Sequence, residues 1–152
     1  MDDGQLTIGA NLEKFMTYKF EKLEVWQMAM DNVDPIYSLA EELPHNEDYN
    51  LKSQMTRAAT SIALNIAEGS TGQSDAEQTR FLGMAIRSLK ETVACQHLIR
   101  RRKFFNDETK IEIAYLKSQT LARKLQSFRK ALIGDSKQIS EEPPSYLFEV
   151  EI

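Results

Sequence analysis

The chain has 152 residues, of which 41% are hydrophobic and 28% are charged, with six Gly and four Pro. This length suits one domain with its own core, and the composition is typical of a globular protein rather than a disordered or fibrous one. The single Cys95 excludes an internal disulfide, and no apolar run approaches the roughly 18 residues of a membrane span. Because the chain does not start with basic residues leading into an apolar segment, we expect a cytoplasmic location and no membrane partner.

The net charge of −4 conceals a segregation of charge along the chain. Residues 1–73 carry 5 Lys and Arg against 12 Asp and Glu, residues 74–134 carry 13 against 6, and residues 135–152 carry 1 against 5. A solvated surface normally mixes both signs. The segregation therefore leaves three interpretations open: an ordinary surface, a basic half that binds nucleic acid, or unlike halves that meet when copies of the chain assemble.

The first predicted helix follows a loose arm. Residues 1–20 contain two Gly and no sustained hydrophobic period, so they form the predicted arm. A helix is then predicted from just after Phe20 to Leu43, with Pro35 either kinking it or dividing it in two. Its apolar stripe contains Leu23, Trp26, Ala29, Met30, Val33, Ile36, Tyr37, Ala40 and Leu43.

The second helix is predicted over about residues 47–68, with acidic residues in its first turn and Gly69 in a left-handed conformation after its end. Its core face contains Leu51, Met55, Ala58, Ala59, Ile62 and Ile66. A polar stripe repeats every three or four residues beside that face: Gln54, Arg57, Ser61, Asn65 and Glu68. Together with Ser88 and Glu91 of the third helix, this stripe predicts a partly buried structural network. In that network Arg57 meets Glu68 or Glu91 and fixes how the helices align.

The third and fourth helices complete the predicted body of the domain. Ser74 and Glu77 match the S-x-x-E signature of a helix start, and this helix is predicted to run to about Lys103. Its core face contains Phe81, Leu82, Ala85, Ile86, Leu89, Val93, Gln96 and Ile99, with Cys95 as a small core residue. The fourth helix is predicted from Asn106 to Gly134. Its coiled-coil spacing comprises Ala114, Ser118, Leu121, Leu125, Phe128 and Leu132.

The last residues, 135–152, contain Pro143-Pro144 and end in the sequence SYLFEVEI. They cannot extend the fourth helix, so this acidic tail either frays or docks apolar side chains on a neighbouring surface. The docking side chains are then Tyr146, Leu147, Phe148 and Val150.

An enzymatic interpretation has little support. The carboxylates of Glu68 and Glu91 could in principle serve acid–base chemistry or bind a metal. Di-iron bundles, however, need a Glu-x-x-His motif on the inward face of each of two helices. This chain has one such spacing, from Glu42 to His45, and it spans a predicted helix end at Pro44. We therefore predict no enzymatic activity, no metal and no cofactor.

Basic residues form a stronger signal. Four of them close the third helix, where cations also favour the helix dipole: Arg100, Arg101, Arg102 and Lys103. On the fourth helix three lysines recur every seven residues, with two further cations beside them: Lys110, Lys117 and Lys124, then Arg123 and Lys130. Such a stripe can follow a phosphate backbone without reading its sequence, so these residues form the predicted nucleic-acid surface. The aromatic residues Phe104, Phe105 and Tyr115 do not alternate with the basic ones, which argues against single-strand recognition.

The chain resembles a known family in three segments: FEKLEVWQMA (20–29), LPHNEDYNLKSQMTRAATSIALNIAEG (43–69) and RFLGMAIRSLKET (80–92). These look like motif blocks of the bacterial proteins encoded in intervening sequences of 23S ribosomal RNA genes, and the resemblance covers about Phe20 to Leu132. It implies an all-α fold, an antiparallel up-down four-helix bundle over residues 21–134, that assembles into a ring of five. It also implies an association with structured RNA.

Two functions follow as expectations. The first is a non-enzymatic, oligomeric bundle that binds structured nucleic acid, RNA or RNA with DNA, through the basic surface of the third and fourth helices. The second comes from a related branch, the accessory variability determinants of diversity-generating retroelements, and is an adaptor that partners a reverse transcriptase. Gene position distinguishes them: inside a ribosomal RNA gene for the first, or beside a reverse transcriptase and a variable repeat for the second.

Overall fold

The computed structural model describes residues 17–72 and 74–135. Most of the predicted arm and all of the acidic tail after Asp135, including its apolar side chains, lie outside the described residues. Within those ranges the chain forms four α-helices and no strand: α1 (Glu24–Glu41), α2 (Leu51–Gly69), α3 (Asp75–Arg102) and α4 (Thr109–Asp135). Single 3-10 turns, Lys19–Lys22 and His45–Glu47, precede α1 and α2.

Each helix packs against its neighbours in the chain, and α4 closes the arrangement by packing against α1. Helices joined by short connections pack antiparallel, so the described chain is an up-down four-helix bundle. The predicted fold class is therefore confirmed. The start of α3 is also as predicted, because Oγ of Ser74 accepts a hydrogen bond from the backbone N–H of Glu77 at 3.1 Å.

Two helices begin later than predicted because acidic side chains cap them from outside. A carboxylate oxygen of Glu47 accepts hydrogen bonds from Nδ2 of Asn50 at 2.8 Å and from the backbone N–H of Leu51 at 3.4 Å. Asp107 plays the same part for α4, since its Oδ1 accepts from the backbone N–H of Thr109 at 2.9 Å and from its hydroxyl at 2.6 Å. The hydrogen bonds from Thr109 lower the pKa of Asp107. Residues before these caps stay outside the helices, so the starts predicted at 47 and 106 were wrong.

The predicted roles of two glycines also change. Gly69 is the last residue of α2, and the left-handed backbone falls on Gly72 instead, at φ +91°. Gly69 is needed for space, because a Cβ there would lie 2.7 Å from the Cβ of Phe81. The close approach of α2 to α3 therefore excludes any side chain at this position. Gly134 does not end α4, which is helical through Asp135.

The first helix runs unbroken through Pro35, so the two-helix alternative is not found. Its buried face is Val25, Ala29, Asn32, Ile36, Leu39 and Ala40. Met30 and Tyr37, predicted to be in the core, are 45% and 40% exposed. At 100° per residue they lie about 100–120° from Ile36, at the border of the buried face, where the hydroxyl of Tyr37 lies 3.1 Å from Oγ1 of Thr60 on α2. The predicted apolar stripe of α1 therefore included two positions, Met30 and Tyr37, that are not buried.

The bundle interior contains two apolar clusters with buried polar residues between them. One cluster includes Ala29, Leu89 and Leu121, and the other includes Ile36, Ile99 and Ala114. Four buried polar residues occur between these positions on three of the helices: Asn32 on α1, Thr92 and Gln96 on α3, and Ser118 on α4. We call these four residues the polar layer.

Hydrogen bonding within the polar layer is incomplete. Nε2 of Gln96 donates to Oγ of Ser118 at 3.4 Å, and Ser118 donates to the carbonyl of Ala114 at 2.8 Å. Oε1 of Gln96 has no partner, and neither amide atom of Asn32 has one, although these two side chains are 1% and 2% exposed. Buried polar groups without partners destabilise the folded chain.

We therefore expect Asn32→Leu to raise the free energy of unfolding by about 1–3 kcal/mol, because it removes two unsatisfied polar atoms at nearly constant volume. Urea denaturation followed by circular dichroism measures the change. Asn65→Leu is the matched control and should not stabilise the protein, since Asn65 donates hydrogen bonds to Ser61. A lower stability for Asn32→Leu would mean that the Asn32 amide is paired in solution.

Candidate nucleic-acid interface

The lysines at seven-residue spacing on α4 face the acidic helix α1. Nζ of Lys110 lies 2.5 Å from Oε1 of Glu42, and Nζ of Lys124 lies 3.3 Å from Oε1 of Glu24. Lys117 lies between them on α4 and lines a groove together with Asp31 of α1. The sequence-based prediction that these lysines are free for phosphate therefore needs correction, because two of the three are in ion pairs. Since their side chains are about half exposed, each pair stabilises the bundle by at most about 1 kcal/mol.

The basic cluster that ends α3, residues 100–103, is exposed. Nε of Arg100 lies 3.2 Å from Oε2 of Glu108. The guanidinium of Arg102 lies over the ring of Phe104, 5.9 Å from its centre, which leaves its N–H groups open to a further acceptor. Arg101 and Lys103 make no ion pair within the described residues. The cluster therefore presents three cations without an acidic partner in that part of the chain.

Lys103 ends α3 in a backbone conformation that normally favours glycine. Its φ and ψ are 53° and 43°, the left-handed region, and its N–H bonds to the carbonyls of Ile99 and Arg100. The N–H of Phe104 also bonds to the carbonyl of Ile99, at 3.4 Å. A non-glycine residue in this conformation costs roughly 1–2 kcal/mol. The chain thus holds a lysine where stability alone would favour glycine.

The remaining predicted cations, Arg123 and Lys130, lie on a different side of α4 from the three lysines. At 100° per residue they fall within about 20° of Glu112. Glu112 lines a cleft together with α3 residues, but Arg123 and Lys130 lie further along α4 and are not among its lining residues. The predicted surface therefore does not form one patch: Lys110, Lys117 and Lys124 border α1, the cluster at residues 100–103 lies beside the cleft between α3 and α4, and Arg123 and Lys130 are exposed elsewhere on α4.

This groove contains a cleft of about 200 Å³ next to the basic cluster. Its lining comes from both helices: Gln96, His97, Arg100, Ile111, Glu112, Tyr115 and Leu116. The rings of His97 and Tyr115 meet edge to face, with their centres 5.9 Å apart. The fold thus brings an aromatic residue beside Arg100, although aromatic and basic residues do not alternate in the sequence. The sequence does not reveal this arrangement, because the aromatic ring and the arginine lie on different helices.

Arg129 also bridges α3 and α4, and the sequence analysis missed it. Its Nε donates to the carbonyl of Thr79 at 3.3 Å, and burial lowers the pKa of Arg129. Its guanidinium lies against Gly83, where a Cβ would be 3.5 Å from Nε. The signal available in the sequence was Gly83 itself, a gap in the apolar face of α3 that can accept a large side chain from another helix. Arg129 therefore has a structural role.

The predicted polar network forms only in part. Oγ of Ser61 accepts hydrogen bonds from Nδ2 of Asn65 at 2.9 Å and from Oγ of Ser88 at 3.0 Å. The other four predicted members are exposed: Gln54, Arg57, Glu68 and Glu91. Contrary to the prediction, Arg57 forms no ion pair with Glu68 or Glu91 among the described residues. On the helical wheel, Arg57 and Glu68 lie about 60–80° further from the core than Asn65, which keeps both in contact with solvent.

The remaining chemical features are a buried cysteine, the groups that could hold a metal ion, and the hydropathy of the helices. Cys95 is 3% exposed, as predicted for a core residue, and burial together with the charge of Glu91 raises the pKa of its thiol. Within residues 17–72 and 74–135, no group of three His, Cys, Asp or Glu side chains could hold a metal ion. None of the helices in that part of the chain combines the length and hydropathy of a membrane span.

These features define an all-α, up-down four-helix bundle with an exposed basic cluster at one helix end. The chain belongs to the 23S rRNA-intervening sequence protein family, whose model matches residues 21–127. This match confirms the resemblance noted in the sequence. A comparison with curated proteins finds none that matches the chain.

Arg57 and Ser61, two predicted members of the polar network, should differ in how much they stabilise the protein, because Arg57 is exposed and Ser61 is partly buried. We expect Arg57→Ala to change the free energy of unfolding by no more than about 0.5 kcal/mol, because an exposed side chain without an ion pair contributes little. Ser61→Ala should cost about 1 kcal/mol, since Asn65 and Ser88 each lose a partner. Thermal denaturation of both variants at a concentration that keeps the chain monomeric compares them. A large loss of stability in Arg57→Ala alone would support the predicted ion pair of Arg57.

Proposed function

We propose that this protein is a non-enzymatic, oligomeric bundle that binds structured nucleic acid, RNA first, through the groove between α3 and α4 and the basic cluster beside it. The observation that carries the proposal is the run Arg100 to Lys103, in which three of four cations have no acidic partner within the described chain. Unpaired cations on a rigid helix end can approach phosphates without first breaking an ion pair. Membership of the 23S rRNA-intervening sequence protein family supports RNA as the first nucleic acid to test.

The backbone at Lys103 gives independent support. A lysine in the left-handed conformation costs stability that a glycine would not, so its side chain is the feature that offsets the cost. Its ammonium group projects from the same helix end as Arg101 and Arg102. A phosphate-binding role accounts for a cation at this strained position, whereas helix capping alone favours glycine.

The electrostatics of the bundle favour the α3–α4 groove over the opposite side of α4. On the α1 side, Glu24 and Glu42 neutralise two lysines, and Asp31 and Asp34 line the groove between α1 and α4. These carboxylates repel a phosphate backbone. We therefore assign binding to Arg100, Arg101, Arg102, Lys103, Arg123 and Lys130, with Lys110, Lys117 and Lys124 in a supporting or structural part.

A non-enzymatic role agrees with the family, which is not known as a family of enzymes. The carboxylates of Glu68 and Glu91, the pair that invited a catalytic interpretation, are both exposed. Exposed carboxylates lack the water-excluded surroundings that acid–base catalysis uses.

The binding proposal predicts a salt-dependent loss in Arg101→Gln/Arg102→Gln. If both side chains contact phosphates, the slope of log affinity against log salt should become shallower by about two units, one for each lost contact. Fluorescence anisotropy with a labelled RNA hairpin over a salt series measures this slope.

Lys110→Gln/Lys124→Gln is the matched control, because it removes the same charge from the α1 side. Its salt slope should stay close to that of the wild type. An equal effect of both double variants would contradict the assignment to the α3 end. If the wild type binds no RNA at low salt, the proposed function is wrong and the adaptor hypothesis takes its place.

We also propose that the chain assembles with copies of itself, as the ring of five that the family resemblance implies. Exposed apolar side chains support an interface on α2 and α3: Leu64, Met84 and Leu98. On the same two helices Arg57, Glu68 and Glu91 offer both signs of charge without an ion pair in the described chain. Surfaces of this kind bury well against a second copy, and head-to-tail contacts close into a ring when the rotation allows.

The assembly proposal predicts a solution mass of five times 17.4 kDa by light scattering at micromolar concentration. Leu64→Glu should lower that mass, because it places a charge at the centre of the proposed interface. Tyr49→Glu is the control, since Tyr49 is 99% exposed at the turn before α2. A monomeric wild type excludes this proposal.

The adaptor of a reverse transcriptase remains a second candidate function, and one observation favours it. Ile113 and Leu116 are 47% and 59% exposed on the outer surface of α4. Apolar side chains at three-residue spacing on a helix are typical of sites where another protein docks. Glutamate at Ile113, which is not among the lining residues of the α3–α4 cleft, would weaken such docking and leave the salt slope for RNA unchanged.

A further inference from the structure

We infer that the cleft between α3 and α4 binds one unpaired nucleobase, either in a free nucleotide or extruded from a folded RNA. The second source rests on the proposed nucleic-acid function. The cleft has a volume of about 200 Å³. Pockets for drug-sized ligands usually measure about 300–1,000 Å³, so this cleft suits a smaller group such as a single heterocyclic ring system.

The most buried residue of the cleft lining, Gln96, carries an unused hydrogen-bond acceptor. Gln96 is 1% exposed, and its Nε2 is already bonded to Ser118. Its Oε1 has no partner, although it is fully buried. Because Gln96 lines the cleft, a ligand there that carries an N–H group can supply the missing donor when the amide turns toward it. Every nucleobase has such a group on its Watson–Crick edge, which an extruded or unpaired base exposes.

The side walls of the cleft suit a flat ring. Ile111 and Leu116 contribute apolar surface, and Tyr115 contributes an aromatic ring whose orientation is set by its contact with His97. Aromatic rings stack on any nucleobase because each base has a π face. Leu116 is more than half exposed, so the outer side of the cleft stays open to an entering base.

The charged residues that line the cleft favour a neutral ligand over a charged one. Arg100 and Glu112 both line it and carry opposite signs. A cationic ligand meets Arg100, and an anionic group inside the cleft meets Glu112. An uncharged base avoids both conflicts, while the phosphate attached to it can lie outside, near residues 101–103. The groove between α1 and α4 lacks this combination, because Asp31 and Asp34 line it.

Three RNA or nucleotide probes test the inference with the full chain. The first is an RNA hairpin with a single-nucleotide bulge, the second is the same hairpin fully paired, and the third is each of the four nucleoside monophosphates alone. We expect the bulged hairpin to bind about tenfold more tightly than the paired one, which is the size of one stacked base. Anisotropy measures the hairpins, and ligand-observed NMR measures the monophosphates.

Two variants connect any preference to the cleft. Gln96→Met keeps the volume of the buried side chain and removes its amide, and Tyr115→Leu removes the ring. Both should reduce the tenfold preference to less than about twofold, and the paired hairpin should keep its salt slope in both variants because the cations at residues 101–103 remain. Tyr49→Leu is the matched control, since Tyr49 lies outside the cleft.

Each outcome separates this inference from the proposed function. A bulge preference that Gln96→Met abolishes supports an extruded base, and monophosphate binding that Gln96→Met abolishes supports a free nucleotide. Binding of the paired hairpin with no bulge preference and no monophosphate signal overturns the inference and leaves the proposed function intact. If neither hairpin binds, the proposed function is wrong, and the monophosphates alone then decide for or against the base site.

Discussion

The alignment of α3 with α4 depends on the buried hydrogen bond between Gln96 and Ser118. A slip of one helical turn would leave the Gln96 amide in the core without any partner, whereas Ser118 would keep its hydrogen bond to the carbonyl of Ala114, and the cost at Gln96 favours one alignment. Three other contacts follow from this alignment: Arg100 with Glu108, His97 with Tyr115, and Arg129 with Thr79. The cleft exists because these contacts hold the two helices at that setting.

The polar layer also explains why a stable bundle contains an unfavourable feature. A purely apolar middle would be more stable, yet it would permit several alignments of the four helices. Unpaired atoms on Asn32 and Gln96 show that the layer is not fully satisfied within the described chain. Such atoms are costly unless a ligand, a solvent molecule or a second conformation uses them. The base site proposed for Gln96 is one such use, at the edge of the layer.

The antiparallel packing of the helices also determines which charged residues meet. Because α4 runs beside α1 in the opposite direction, Lys110 meets Glu42 and Lys124 meets Glu24, so two of the cations in the basic part of the chain are neutralised by its acidic part. Three cations without an acidic partner in the described chain, Arg101, Arg102 and Lys103, lie together at the end of α3. For the proposed nucleic-acid function, this arrangement favours an approach beside the cleft over an approach to the acidic groove between α1 and α4.

The sequence alone determined the four helices, the core faces of α2, α3 and α4, and the family, because helical periodicity and a long motif are local properties of the chain. It could not determine which charges stay free, since Lys110 and Glu42 are far apart along the chain and meet only when α4 packs on α1. The same limit applies to Arg57. Helical periodicity places it in a polar stripe, but only the packing of α2 against its neighbours determines that its side chain is exposed. The cleft combines Gln96 with Tyr115 from another helix, so only the tertiary structure could bring a buried amide, an aromatic ring and a basic cluster together.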